Sequence, residues 1–327
     1  MKKFQIFLAA AVLCLSALSA GAVGFQEVRV ADGAGPPLVV GVWYPSEATA
    51  SDQRLGPFTQ LVAPRGDIEG RRLPLVVMSH GTGGWYGEHY DTALALARAG
   101  FVVAAVSHTG DTYQDQSRST AIADRPRHLH EVIDFMTRDW PEHGRIDAGR
   151  IGVFGFSAGG FTALVAVGGA PDLRTMAAHC QAHPQNFDCG LLKTSHLDPA
   201  TMPIPPASAW LHDRRIKAAV AAAPALGFTF GRVGLKDVTI PVQLWRAEDD
   251  HILPNPDYAE AVRISLPRRP EFHLAANADH FDFLSPCSAE LVRQAPEICA
   301  SRPGFDRAAF HAAFNAEVTA FFRRTLR

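Results

Sequence analysis

Three short stretches carry residue types that can act together. The first is "RIGVFGFSAGG", residues 150–160, which sets Ser157 between Gly155 and Gly159 directly after an apolar run. A hydroxyl there adds little to packing. On a tight turn from a buried strand into a helix, however, a serine is held clear of the sheet with its Oγ exposed. Free N–H groups and the helix dipole at that point favour developing negative charge. The turn tolerates only small neighbours, which the glycines supply. These features predict Ser157 as a nucleophile.

A serine nucleophile needs a base to take its proton and an acid to orient the base, here in the chain order serine, carboxylate, histidine. "PVQLWRAEDDHILP", residues 241–254, ends a strand and opens a loop with two adjacent carboxylates, Asp249 and Asp250. Asp250 is preferred because the apolar "HILP" after it turns the loop back to the core. "FHLAANADHFDFL" places His280 a few residues past the last expected strand and downstream of the acid. His280 Nε2 would accept the Ser157 proton while Asp250 fixes the tautomer through Nδ1. "HGTGG", residues 80–84, follows an early strand, and its glycines let the main chain approach a substrate carbonyl. The N–H groups of Thr82 and Ala158 are the expected oxyanion donors. Trp85, Tyr86, Phe281 and Phe283 flank these loops and are either the apolar walls of a substrate pocket or core packing.

The elements that must position these loops read as an α/β pattern, because β-branched runs alternate with helical periodicity. Strands are expected at Phe25–Val30, Leu38–Trp43, Leu75–Met78, Phe101–Ser107, Ile151–Phe154, Ile216–Ala222, Val242–Trp245 and Glu271–Ala275. Helices are expected over Glu88–Ala99, from an Asp124 N-cap to about Trp140, over 158–167 and 258–265, and over 306–324. The segment 168–213 breaks the rhythm with Pro, His and Cys, and is expected to be a cap-like insertion. Loops at the C-terminal edge of a parallel sheet are where its ligands bind, and all three stretches fall on such loops.

Composition sets the compartment and excludes some partners. Of 327 residues, 47% are hydrophobic, enough for one large domain, and the formal net charge of −2 comes without a basic run. A nucleic-acid footprint is therefore not expected. The N-terminus has Lys2 and Lys3, an apolar stretch from Phe7 to Leu18, and the small residues Ala20-Gly21-Ala22. This is the pattern of a cleaved export signal over residues 1–22, leaving a domain of 23–327. The apolar run is shorter than the ~20 residues a spanning helix needs, so no stable membrane insertion is expected after cleavage. A periplasmic or extracellular protein follows. Beyond Cys14 the chain keeps Cys180, Cys189, Cys287 and Cys299, an even number suited to disulfides in that compartment. The simplest pairing is local, Cys180–Cys189 and Cys287–Cys299. His179 and His183 have a spacing that puts two metal ligands on one helix face. A disulfide-tied insertion accounts for the same stretch, and neither metal nor cofactor is expected. His128 and His130, two apart on a helix, point to different faces.

"VGVWYPS" at 40–46, "LPLVVMSHGTGG" at 73–84, the serine elbow, the acid loop and "ADHFDF" at 278–283 together resemble the α/β-hydrolase superfamily. Within it the chain is most similar to the dienelactone-hydrolase-related branch, which also holds bacterial relatives of platelet-activating-factor acetylhydrolase and cutinase-type polyester hydrolases. The resemblance spans about residues 25–325. It implies a mostly parallel, doubly wound sheet with helices on both faces, and a serine hydrolase acting on small-molecule carboxylic esters. True dienelactone hydrolases carry cysteine where this chain has Ser157, so dienelactone itself is not the implied substrate. An amidase or peptidase, or a lipase or polyester hydrolase, fits the same residues. A binding protein that has lost catalysis fits less well, because all three triad members are present in order.

Overall fold

The computed structural model describes residues 22–33 and 35–327. The expected export signal, apart from Ala22, lies outside the described residues. Ten strands form one sheet: β1 (Ala22–Asp32), β2 (Gly35–Ser46), β3 (Ser51–Leu55), β4 (Phe58–Pro64), β5 (Leu73–Ser79), β6 (Val102–Ser107), β7 (Ile146–Phe156), β8 (Ile216–Ala222), β9 (Val242–Ala247) and β10 (Glu271–Ala275). Their order is β10-β9-β8-β7-β5-β6-β2-β1-β4-β3. The six from β6 to β10 across the middle are parallel, while β2 runs antiparallel to both β6 and β1.

The central strands read as near-continuous apolar runs because both of their faces are covered. Two cores result, one on each face. Helices α1 (Tyr90–Arg98), α2 (Asp124–Asp134) and α3 (Ala158–Ala166) divide between them. Leu129 and Val132 of α2 join Phe161 and Leu164 of α3 on one face. Leu96 of α1 meets Phe314, Val318 and Phe322 of the closing helix Arg307–Thr325 on the other. Each large apolar side chain buried this way contributes about 1.5–3 kcal/mol. The expected doubly wound α/β architecture is the one observed.

Four local details differ from expectation. Strands β3 and β4 were not expected. They form a hairpin in which β3 buries only Leu55, while β4 buries polar Gln60 beside Phe58, Val62 and Ala63 and exposes Leu61, so the sequence shows no clean apolar alternation. Asp124 does not cap α2; it is the first helical residue, and its Oδ2 instead accepts from Arg118 Nη2 at 2.5 Å. The helix also does not continue regularly to Trp140, because a π turn over Phe135–Asp139 replaces its last part, where Thr137 Oγ1 donates to the Ile133 carbonyl. The helix expected from Glu88 begins at Tyr90.

The segment 168–213 carries α4 (Thr175–Ala182) and α5 (Phe187–Thr194), joined by the Cys180–Cys189 disulfide. The second disulfide, Cys287–Cys299, closes a loop just after the His280 turn. Both pairings are those expected. Among the described residues no helix is long and apolar enough to cross a membrane.

Candidate active site

The parallel register brings four loops to one sheet edge. Ser79 at the end of β5 pairs with Gly155, and Phe156 at the end of β7 pairs with Ala222. The loops after β5, β7, β9 and β10 therefore emerge side by side, carrying Thr82, Ser157, Asp250 and His280 respectively.

Ser157 sits at φ 53°, ψ −118°, a backbone conformation that L-residues rarely adopt. Three main-chain hydrogen bonds hold it there: its N–H donates to Ala222 O at 2.9 Å, and its carbonyl accepts from Phe161 N at 3.1 Å and Ala225 N at 2.9 Å. The flanking glycines are required by contact. A Cβ on Gly155 would lie 1.9 Å from Gly159 O, and one on Gly159 would lie 1.9 Å from Ser79 O. The turn is thus too tight for any side chain at either position.

The three residues expected to act together are hydrogen-bonded in sequence. His280 Nε2 lies 3.1 Å from Ser157 Oγ, and His280 Nδ1 lies 2.8 Å from Asp250 Oδ2. The other Asp250 oxygen accepts from Ile252 N at 3.1 Å and Leu253 N at 2.7 Å, so the carboxylate is aimed by its own loop. Asp249 points elsewhere and pairs with Arg302 at 2.8 Å. His280 is 2% exposed. Its ring packs against Phe156 and Phe281, with centroids 4.8 and 5.5 Å away.

The His280 turn is anchored by residues that the sequence did not single out. Asp279 caps it by accepting His280 N–H at 2.7 Å, and also accepts from His251 Nδ1 in the acid loop. Asp282 is fully buried. It accepts Asp279 N–H at 2.8 Å and pairs with Arg307 at 3.0 Å. Arg307 Nη1 continues to the Ile298 carbonyl, inside the second disulfide loop. That loop is therefore coupled to the histidine through one buried ion pair.

A second buried ion pair shapes the loop after β5. Arg125 Nη1 donates to His80 O at 2.7 Å, its Nη2 to Gly81 O at 3.0 Å, and its Nε to Asp111 Oδ2 at 3.0 Å. The other Asp111 oxygen accepts Gly83 N–H at 2.8 Å, and Glu88 accepts Gly81 N–H at 3.0 Å. The N–H groups on both sides of Thr82 are thus occupied. Those of Thr82 and Ala158 have no acceptor among the described residues, and both residues border the same cavity as Ser157. Two free N–H groups beside the serine are what a carbonyl oxygen gaining negative charge requires. No sequence signal marked Arg125, which lies in α2 far from the loop it holds.

Behind this loop runs a buried chain of imidazoles. His80 Nε2 accepts His108 N–H at 3.0 Å, and His108 Nδ1 lies 3.1 Å from His128 Nδ1. Burial, and next the Arg125 charge, pushes His80 down to about 4 and His108 well below its usual range. Burial, and next Arg127, pushes His128 to about 4. His130 faces the other way and pairs with Asp213 at 2.9 Å, as the two-residue spacing expects. These shifts set a pH dependence. The three buried rings stay neutral in the native state, whereas unfolded histidines charge near pH ~6.5. Stability is therefore complete above that value and is lost as pH falls from about 6.5 toward 4. Between pH ~6.5 and 5, where carboxylates remain ionised, unfolding is expected to take up on the order of two or more protons. The slope of denaturant-derived stability against pH reads this number, and a flat profile over that interval refutes it.

The cavity at Ser157 is mainly apolar and small, about 70 Å³. Leu173, Met176, Leu191 and Met202 from segment 168–213 line it, with Leu226 and Leu253 opposite. None of the four aromatic residues expected as walls borders it. Trp85 and Tyr86 lie on the far side of the Thr82 loop, around separate surface cavities. Phe283 is a fully buried core residue, and Phe281 packs on the same core and on His280. Residues of segment 168–213 border the cavity instead of those rings.

Comparison with known proteins agrees with this architecture. A family model described as the prolyl oligopeptidase family matches residues 88–180, which include the serine elbow but neither the acid nor the base loop. No curated protein sequence matches the chain. A solved structure of a ferulic acid esterase from Streptomyces cinnamoneus superposes with a TM-score of 0.64 at 21% identity, covering 95% of this chain and 92% of that one. With the strand order, the elbow and the loop positions, that likeness establishes that the chain has the α/β-hydrolase fold.

Proposed function

We propose that this protein is an exported serine esterase that cleaves carboxylic esters of small to medium size through an acyl-enzyme on Ser157. The observation that carries the reading is the hydrogen-bonded series Ser157–His280–Asp250 at the floor of an apolar pocket, beside two unused N–H groups. Ser157 Oγ attacks the ester carbonyl carbon as His280 Nε2 takes its proton. The carbonyl oxygen becomes an oxyanion and accepts from Thr82 N–H and Ala158 N–H. Asp250 stabilises the imidazolium and does not itself take the proton. Collapse breaks the ester C–O bond, and His280 gives its proton to the departing alcohol. Water, deprotonated by the same histidine, then attacks the acyl-enzyme and releases the acid.

The segment 168–213 acts as a cap over the serine and limits depth. A cavity of about 70 Å³ accommodates a short acyl group. p-Nitrophenyl acetate to butyrate are therefore the expected best substrates, with kcat/KM on the order of 100-fold lower at palmitate. A rate that rises toward palmitate, with activation at a lipid interface, would instead mean an open lipase-like groove. The neighbour named a ferulic acid esterase makes aryl-acid esters a useful arm of the same panel.

The match to a peptidase family supports a second reading, amide hydrolysis at the same serine. A matched ester and amide of one acyl group separate the two, and ester preference is expected. Export is supported by the N-terminal pattern and by the two disulfides.

A further inference from the structure

Most of the wall of the serine cavity is apolar, but Ser119 and Thr120, on the loop that leads into α2, also border it. Ester cleavage as derived above uses neither side chain. Ser119 is 6% exposed. Its Oγ and the Thr120 Oγ1 make no hydrogen bond among the described residues. A hydroxyl inside a folded domain is satisfied by protein, by water or by a ligand. These two have no protein partner, and the open space they border is the one that holds Ser157.

The main chain fixes the turn that carries them. Arg118 N–H donates to Gly110 O at 2.7 Å, Ser119 N–H to Gln116 O at 3.1 Å, and Ala121 N–H to Arg118 O at 2.8 Å. The Arg118 side chain pairs with Asp124 in the first turn of α2. The hydroxyls therefore start from a preorganised backbone, which lowers the cost of ordering them on a ligand. The remaining lining narrows the chemistry of that ligand. Leu173, Met176, Leu191, Leu192 and Met202 supply apolar surface, and no cation borders the cavity among the described residues. A second carboxylate on the acyl group would find no counter-charge there, and a buried unpaired charge is costly. A neutral hydroxyl fits, because it both donates and accepts, as Ser and Thr hydroxyls do. An all-alkyl group instead displaces water from Ser119 and Thr120 and leaves them unpaired.

On the esterase reading given above, we propose that the serine pocket selects short acyl groups that bear a hydroxyl, and that Ser119 and Thr120 are its specificity-determining residues. The acyl chain lies against the apolar side chains of segment 168–213, and its hydroxyl exchanges hydrogen bonds with these two side chains. Selection of this kind arises from groups that a substrate lacking the hydroxyl would leave unpaired.

The p-nitrophenyl esters of 3-hydroxybutyric and 3-methylbutyric acid test this, because they have nearly the same shape and differ by a methyl in place of the hydroxyl. The hydroxy ester is expected to have a kcat/KM about 10-fold higher, although the methyl ester is the more apolar of the two. In protein carrying both Ser119→Ala and Thr120→Val, that ratio is expected to fall to about twofold or less. Both esters meet the same folded fraction, so the ratio does not depend on how much of the variant folds. A second measurement avoids turnover. Ser157→Ala protein, titrated by NMR with the methyl esters of the same two acids, is expected to bind the hydroxy ester more tightly. Turnover of neither p-nitrophenyl ester would count against the esterase reading, and the methyl-ester titration would still decide the selectivity. Equal kcat/KM for the pair, or equal binding of the two methyl esters, overturns the selection of hydroxyacyl groups. A ratio undiminished in the double variant overturns the assignment to Ser119 and Thr120.

Discussion

Ser157→Ala is expected to lower kcat for ester hydrolysis by on the order of 10⁴–10⁶-fold and to abolish labelling by a fluorophosphonate probe. The loss is chemical and not structural. The hydroxyl is hydrogen-bonded to His280, while the main-chain bonds to Ala222 and from Phe161 and Ala225 that fix the strained turn do not involve it. Melting temperature should therefore be unchanged or slightly raised, since residues held for catalysis often cost stability. The free Thr82 and Ala158 N–H groups persist in the variant, so a residual rate above water is expected from positioning and oxyanion stabilisation. Substantial turnover by the alanine protein, or probe labelling at another residue, would remove Ser157 from the mechanism.

The parts of this site that were legible in the sequence are those whose cause is local. Ser157 was legible because a tight strand-to-helix turn must show its glycines within two residues. Gly155 and Gly159 are excluded from bearing side chains by contacts of 1.9 Å. His280 and the acid loop were legible from chain order and from their place after apolar strands. Arg125 and Asp282 were not, because each acts through partners remote in sequence: Arg125 on the carbonyls of residues 80 and 81, Asp282 on Arg307. A buried ion pair leaves no periodic trace. Whether Trp85, Tyr86, Phe281 and Phe283 were pocket wall or core was not legible, for a related reason. Aromatic residues near the catalytic loops looked like natural walls, but how a long insertion folds back is set by tertiary packing. The β3–β4 hairpin was not legible because β3 is almost wholly polar and β4 buries Gln60 while exposing Leu61, so neither strand shows a clean apolar alternation.

Asp249 and Asp250 are adjacent, yet their replacement by asparagine should differ by about four orders of magnitude. Asp250 Oδ2 accepts from His280 Nδ1 at 2.8 Å, while its Oδ1 is pinned by Ile252 and Leu253 N–H groups. Those two donors require an oxygen on their side. In Asp250→Asn the amide oxygen is held there and the NH₂ group turns toward His280. A donor facing Nδ1 drives the proton to Nε2, the tautomer that cannot accept from Ser157. The resulting fall in kcat is on the order of 10⁴-fold, with KM nearly unchanged. Asp249 has no such role. Its side chain is 31% exposed and pairs with Arg302, itself 52% exposed. Such a pair contributes only about 0–1 kcal/mol. Its main-chain N–H, which donates to Ala278 O at 3.0 Å, is untouched by the substitution. Asp249→Asn should therefore keep kcat within roughly threefold of the parent. Steady-state kinetics of the two variants on one short-chain ester decide the matter, and a crippled Asp249→Asn beside a normal Asp250→Asn would transfer the acid's role to the neighbouring residue.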